Sequence, residues 1–169
     1  DLNAGLGRGT EKEDLAWLIS TVQEVFQPPL CLDSSDPEVL EFCLPLVRNP
    51  DVMINSITGE ARRISRLEPV IRNYPKAKVV GLTMDDAGIP PDTERRLAIA
   101  ESLLGLLAGC GVAQEDIFLD GLVQPVSTDT RNGTVFLDFV RELKRRHPEV
   151  RTTCGLSNVS FGLPARSIV

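Results

Sequence analysis

The 169-residue chain is poor in the residue types that carry much of protein chemistry: one histidine, one tryptophan, one tyrosine, and only 5% aromatics. Its lone histidine, His147, sits in an Arg-Arg-His-Pro helix end, which argues against a zinc site. It also leaves no credible Ser–His or Cys–His pair for covalent catalysis. The four cysteines, Cys31, Cys43, Cys110 and Cys154, are widely spaced and contain no C-x-x-C. Cys31 and Cys154 lie in apolar strand-like runs and read as reduced, packed thiols, the usage expected of a cytoplasmic protein. A basic excess is missing too, with 18 Lys and Arg against 24 Asp and Glu. The net charge of -6 argues against a nucleic-acid backbone as partner. No apolar run approaches the ~18 residues a membrane helix needs, so no membrane span is expected.

What is present is an alternation. Short apolar runs Leu30-Cys31-Leu32, Val52-Met53-Ile54, Val79-Val80-Gly81-Leu82, Ile117-Phe118-Leu119 and Thr152-Thr153-Cys154 read as strands. Between them lie stretches of helical spacing. The first covers 11–26, with Leu15, Leu18, Ile19, Val22 and Phe26 inward. Others cover 36–48, opened by Asp36-Pro37, then 92–110, closed by Gly111, and 132–147, stopped by Pro148. A helical stretch from Glu60 is expected to break near Pro69. The strands do not alternate apolar with polar, so they read as parallel and buried on both faces. Strand–helix repeated five times is an α/β chain.

Each strand ends on a short polar residue: Asn3, Asp33, Asn55, Asp85, Asp120 and Asn158, spaced 22 to 38 residues apart. In a parallel sheet all carboxyl ends lie on one side, where α/β proteins bind ligands. A (β/α)8 barrel takes about 250 residues, so these 169 supply five to six units of an incomplete TIM barrel. A doubly wound sheet competes, but no G-x-G-x-x-G follows a strand. The chain starts without methionine and stops in apolar Ser167-Ile168-Val169, so it is expected to be an internal fragment of a longer protein. Asp accepts hydrogen bonds and Asn both donates and accepts, a set that matches a flat heterocycle with an amino-carbonyl edge. Helix caps and Asx turns would use the same residue types.

The runs Leu32-Asp33-Ser34, Ile54-Asn55-Ser56, Gly81-Leu82-Thr83-Met84, Leu119-Asp120 and Gly155-Leu156-Ser157-Asn158-Val159-Ser160 together resemble the methyltetrahydrofolate:corrinoid methyltransferases. These belong to the pterin-binding barrel group, with dihydropteroate synthase and the folate domain of cobalamin-dependent methionine synthase. The resemblance spans essentially the whole chain, with its motifs in order, and implies one pterin-binding barrel domain over 1–169 lacking the first strand and the last unit. It implies that Asp33, Asn55, Ser56 and Asp120 hold the pterin of methyltetrahydrofolate. Asn158 would bond near the methyl-bearing N5 and be the catalytic residue, with no metal ligand in this chain. The cobalt corrinoid would arrive on a separate corrinoid protein, and the full-length protein would be a homodimer. Asp85-Asp86 departs from the Asn-Lys of the family's pattern and reads as loop acids. Two alternatives stay open. One is dihydropteroate synthase, whose late basic segment Arg151 and Arg166 do not reproduce; the other is a non-catalytic pterin-binding domain.

Overall fold

A computed structural model describes residues 1–5, 9–164 and 166. The glycine-rich loop at 6–8 and the apolar end at 167–169 lie outside the described residues. Six strands form one sheet: β1 (Leu2–Asn3), β2 (Leu30–Asp33), β3 (Val52–Thr58), β4 (Lys78–Leu82), β5 (Ile117–Asp120) and β6 (Arg151–Thr153). Five helices connect them: α1 (Glu11–Val25), α2 (Pro37–Cys43), α3 (Ala61–Arg72), α4 (Thr93–Gly109) and α5 (Arg131–Arg146). Every neighbouring pair is parallel and the spatial order is the sequence order. A doubly wound sheet reverses direction at a switch point. This one never reverses, so the fold is a TIM-barrel arc, and among the described residues β1 and β6 do not pair to close it.

Local chemistry sets the element ends. Asp36 caps α2, its Oδ1 accepting from the Glu38 amide at 2.9 Å, with Pro37 in the first turn. Asp92 does the same for α4, accepting from the Arg95 amide at 2.8 Å. That helix ends where Gly111 takes φ 88° and lets the Val112 amide return to the Leu107 carbonyl at 3.1 Å. Two helices differ from expectation. Helix α3 runs unbroken through Pro69, which sits in its last turn, where Leu67, Val70 and Ile71 are buried on one face. The packing of those three side chains outweighs one missing N–H. In α1 the inward stripe ends at Gln23, not Phe26. Phe26 turns extended (φ -162°) ahead of Pro28-Pro29 and is 61% exposed. Gln23 is buried in its place, donating to the Leu46 carbonyl at 3.0 Å and accepting the Arg48 amide at 2.6 Å.

Most of the strands are not buried on both faces; β4 is, with Val79, Val80 and Gly81 all buried. Leu30, Leu32, Val52, Ile54, Val79, Ile117 and Leu119 join one core with Leu15, Leu40, Leu67, Leu103, Leu107, Phe139 and Leu143 of the helices. Each such side chain contributes about 1.5–3 kcal/mol on burial. The alternate residues Cys31, Asp33, Met53, Asn55, Lys78, Leu82 and Phe118 are only half-buried. They line the concave face, which an open arc leaves in contact with water. All four cysteines are free, and Cys43 and Cys110 are the buried pair, while Cys31 and Cys154 are half-buried. Among the described residues no helix is long and apolar enough to cross a membrane.

Candidate functional site

Asn3, Asp33 and Asn55 share one row of the sheet, Asn3 opposite Asp33 and Asp33 opposite Asn55. Side chains in one row project from the same face. Asn3 Nδ2 donates to Asp33 Oδ2 at 3.0 Å, and Asn3 Oδ1 accepts the Gly5 amide at 2.9 Å. Asn55 Nδ2 reaches Asp1 Oδ2 at 3.5 Å. Asn55 is not a strand end, since β3 continues to Thr58. It sits at a bulge, where the register against β4 shifts between Asn55 and Ile57, and the Asn55–Ser56 peptide is cis. Ser56 is buried, and its carbonyl accepts Arg63 Nε at 2.9 Å.

Asp120 stands across the arc, opposite Leu82 on one side and Thr153 on the other. It is buried, and burial raises its pKa, opposed by the amides of Leu122 and Gly155 and by the charge of Arg96. The Leu122 amide donates to Asp120 Oδ1 at 2.7 Å. Asn158 is exposed, in the 3-10 turn Leu156–Ser160 that follows β6. Its amide donates to the Gly155 carbonyl at 2.9 Å, and its Nδ2 lies so close that a Cβ on Gly155 would come within 2.9 Å. Asp120 and Asn158 therefore both lie close to Gly155, whose amide helps hold the Asp120 pKa down while Asn158 Nδ2 covers its Cα. The loop after β5 anchors this turn, through the Val126 amide to the Val159 carbonyl at 3.1 Å and Ser127 Oγ to the Phe161 carbonyl at 2.6 Å.

The polar residues thus form two groups, Asn3–Asp33–Asn55 on β1 to β3 and Asp120–Gly155–Asn158 from the end of β5 onward. Val80 and Leu82 of β4 stand between them, Val80 continuing the row of Asn55 toward Phe118 and Leu82 in the row of Asp120. Asp85 and Asp86 serve the fold. Asp85 accepts the Ala87 amide at 2.9 Å and pairs with Arg95 at 2.7 Å, which hold its carboxyl below the usual range. Asp86 accepts the first amide of α3, from Ala61, at 3.1 Å. His147 pairs with Glu101 at 2.9 Å. A cavity of about 550 Å3, lined by Ser35, Asp36, Glu60, Arg62, Arg66 and Asp86 among others, lies on the rim and includes none of Asp33, Asn55, Asp120 or Asn158.

Two arginines beneath the loops escaped the reading of the strand ends. Arg63 donates Nη2 to the Ser34 carbonyl at 2.8 Å, Nη1 to the Ser35 carbonyl, and Nε to Ser56. Arg96 donates Nε to the Pro90 carbonyl at 2.9 Å and Nη1 to the carbonyls of Leu122 (3.2 Å) and Gly121. Burial lowers the pKa of both, opposed by nearby carboxylates. Their signal was present: Arg63 leads the stripe Leu67-Val70-Ile71, and Arg96 leads Ala100-Leu103-Leu104 at the same spacing. A charged residue at the head of an apolar stripe lies on the helix face that packs inward, which leaves Arg63 half-buried and Arg96 buried.

Sequential parallel strands with carboxylate and amide side chains near their carboxyl ends define a protein of the barrel class, in which ligands bind at that edge. The chain belongs to the pterin binding enzyme family, whose model matches residues 3–167. It is 33% identical over 170 residues to the methylcorrinoid:tetrahydrofolate methyltransferase of Eubacterium limosum, covering 100% of this chain and 62% of that protein. It is 33% identical over 160 residues to a methionine synthase of Mycobacterium tuberculosis (strain ATCC 25618 / H37Rv). A methionine synthase of Mycobacterium leprae (strain TN) matches at 34% over 161 residues, and each of these two alignments takes in 89% of this chain and 13% of the synthase. The chain thus spans less than two thirds of each relative.

Proposed function

We propose that the chain holds the pterin of methyltetrahydrofolate in a methyltransferase that moves its N5-methyl group to or from the cobalt of a corrinoid protein. The observation that carries this is that Asn3, Asp33, Asn55 and Asp120 share one face of the sheet, with the aliphatic Val80 and Leu82 of β4 between them. The full-chain similarity to a protein named for methylcorrinoid and tetrahydrofolate supports it. A flat bicyclic ring would rest on the aliphatic rows and present its edges to the polar groups. The amino group and ring N–H of the pterin are paired donors, and a carboxylate accepts both. Asp120, Asp33 and Asn55 supply acceptors and an amide from separate strands, with Ser56 next to Asn55.

A tertiary amine leaves poorly, so N5 must gain a proton as its bond to the methyl carbon breaks and the bonding electrons return to nitrogen. Asn158 presents both a donor and an acceptor, and its carbonyl oxygen would hold the N5 proton as positive charge develops there. Such a contact lowers the barrier only where it is stronger in the transition state than in the ground state. When docked, the corrinoid supplies the cobalt(I) nucleophile for the methyl group. Its carrier would meet the exposed turn holding Asn158, where Leu156 is 70% and Phe161 60% exposed. The deciding experiment mixes the protein with methyltetrahydrofolate and cob(I)alamin and follows the loss of cobalt(I) absorbance. Turnover is expected. Tight folate binding without turnover would select the non-catalytic alternative, and absence of folate binding would overturn the pterin reading altogether.

A further inference from the structure

Arg96 is 1% exposed, among the most buried large side chains of the described residues. Taking a guanidinium out of water costs several kcal/mol unless it meets matched acceptors. Among the described residues its hydrogen bonds go only to main-chain carbonyls, those of Pro90, Gly121 and Leu122. Two of the three belong to the residues that directly follow Asp120. Leu122 is pinned from both sides, its N–H on Asp120 Oδ1 and its carbonyl on Arg96. It stands at φ 54°, a left-handed conformation that a leucine does not keep unaided. An apolar side chain at position 96 would fill the space without holding that loop or facing a carboxylate.

We propose that Arg96 is a positioning residue for Asp120, fixing the Gly121–Leu122 turn whose main-chain N–H orients the carboxylate toward its ligand. The charged and titratable groups around Asp120 are few. Arg96 approaches from α4, the Cys154 thiol from beyond β6, and Asp92 faces Arg96 from the N-cap of α4. Thr83 of the β4 edge adds only hydroxyl and amide donors, both to the Asp120 carbonyl. The Leu122 amide opposes the burial of Asp120 first, and Arg96, which holds the Leu122 carbonyl, adds a nearby positive charge. Loss of Arg96 leaves the carboxyl protonated over more of the pH range. A protonated Asp120 cannot accept from two ligand donors at once.

The inference rests on the pterin reading, so its test has an arm that needs no folate. In the unliganded protein, the Asp120 carboxyl is titrated by carbon NMR in wild type, Arg96→Met and Arg96→Lys. Arg96→Met is expected to move the midpoint upward, and Arg96→Lys, which keeps the charge, to restore most of it. An unmoved midpoint overturns the inference whatever folate does. In the second arm, Arg96→Met weakens methyltetrahydrofolate binding about tenfold at neutral pH, with a loss that grows as the pH is lowered. In an Asp120→Asn background the same substitution costs less than about twofold, because its effect passes through the carboxylate. Equal losses in both backgrounds, or a loss independent of pH, would mean that Arg96 only supports the fold. If Arg96→Met does not fold, Arg96→Lys carries the same cycle, with a loss of about threefold that vanishes beside Asp120→Asn. A wild-type protein that ignores folate sinks the pterin reading and leaves the titration to decide on Arg96.

Discussion

The main-chain N–H of Leu122 meets Asp120 Oδ1 at 2.7 Å while Leu122 itself holds φ 54°. A leucine in the left-handed region gives up about 1–2 kcal/mol, which the carboxylate hydrogen bond and the Arg96 contact offset. Leu122→Pro removes the N–H and forces φ near -65°, so it should lower stability by about 3 kcal/mol or more. Leu122→Gly trades the backbone cost against a half-buried side chain and should stay within about 1 kcal/mol of wild type. Urea unfolding of the two variants checks this; a Leu122→Pro protein with the wild-type midpoint would show that the turn is not held by this bond.

Burial raises the pKa of Asp120, so the folded chain binds more protons than the unfolded chain above the unfolded carboxyl value of about 3.9. The sign follows: this group's contribution to stability is full below that value and is lost as pH rises through the raised folded value. Folate binding runs the opposite way, because the pterin donors need a charged acceptor, and strengthens over the same interval. Asp120→Asn should flatten that part of both profiles. Unfolding free energies and folate dissociation constants measured across the same pH series test it, and parallel slopes for the two would refute it.

Much of this arrangement was legible in the residues. Asp33 and Asp120 could be placed because an apolar run that stops on an acid marks a strand end, and strand ends of one parallel sheet share a side. The residues that went astray did so for local reasons. Asn55 looks terminal because Ser56 follows it, yet Ile57-Thr58 carry β3 onward past a bulge that no periodicity marks. Pro69 suggests a break that three buried neighbours override. Half-burial of Cys31, Met53 and Phe118 depends on whether the arc closes, which strand composition does not encode. Arg63 and Arg96 were hidden by their charge, since a lone arginine on a helix is usually solvated, and only their place at the head of each apolar stripe signals otherwise.

Gly121 shows how tightly the loop behind Asp120 is packed. A Cβ there would stand 2.5 Å from Phe139 Cδ1 and 3.1 Å from Phe136 Cδ2, and Phe139 is fully buried. Gly121→Ala must push either the ring or the loop, and overpacking of this kind costs roughly 1–3 kcal/mol. Because the displaced loop carries Leu122, folate affinity should fall along with thermal stability. A variant as stable as wild type with unchanged affinity would mean that Phe139 moves freely, against its burial.

Asn158 offers the cleanest separation of binding from chemistry. It is exposed, its side chain makes no hydrogen bond among the described residues, and its turn is held by other contacts, among them Val126 N–H to the Val159 carbonyl and Arg166 Nη2 to the Ser157 carbonyl at 3.0 Å. Asn158→Ala should therefore change stability by no more than about 0.5 kcal/mol, the range of a surface substitution. Asp33→Ala and Asp120→Ala, by contrast, remove acceptors for the ring and should weaken folate binding directly. If Asn158 meets N5 as the proton arrives, its loss lowers the rate of methyl transfer at saturating folate by about a hundredfold, the effect of one transition-state hydrogen bond, while affinity changes only a few-fold. Stopped-flow decay of cobalt(I) absorbance gives the rate, and equilibrium titration gives the affinity. Equal losses in the two measurements would place Asn158 among the residues that merely hold the ring.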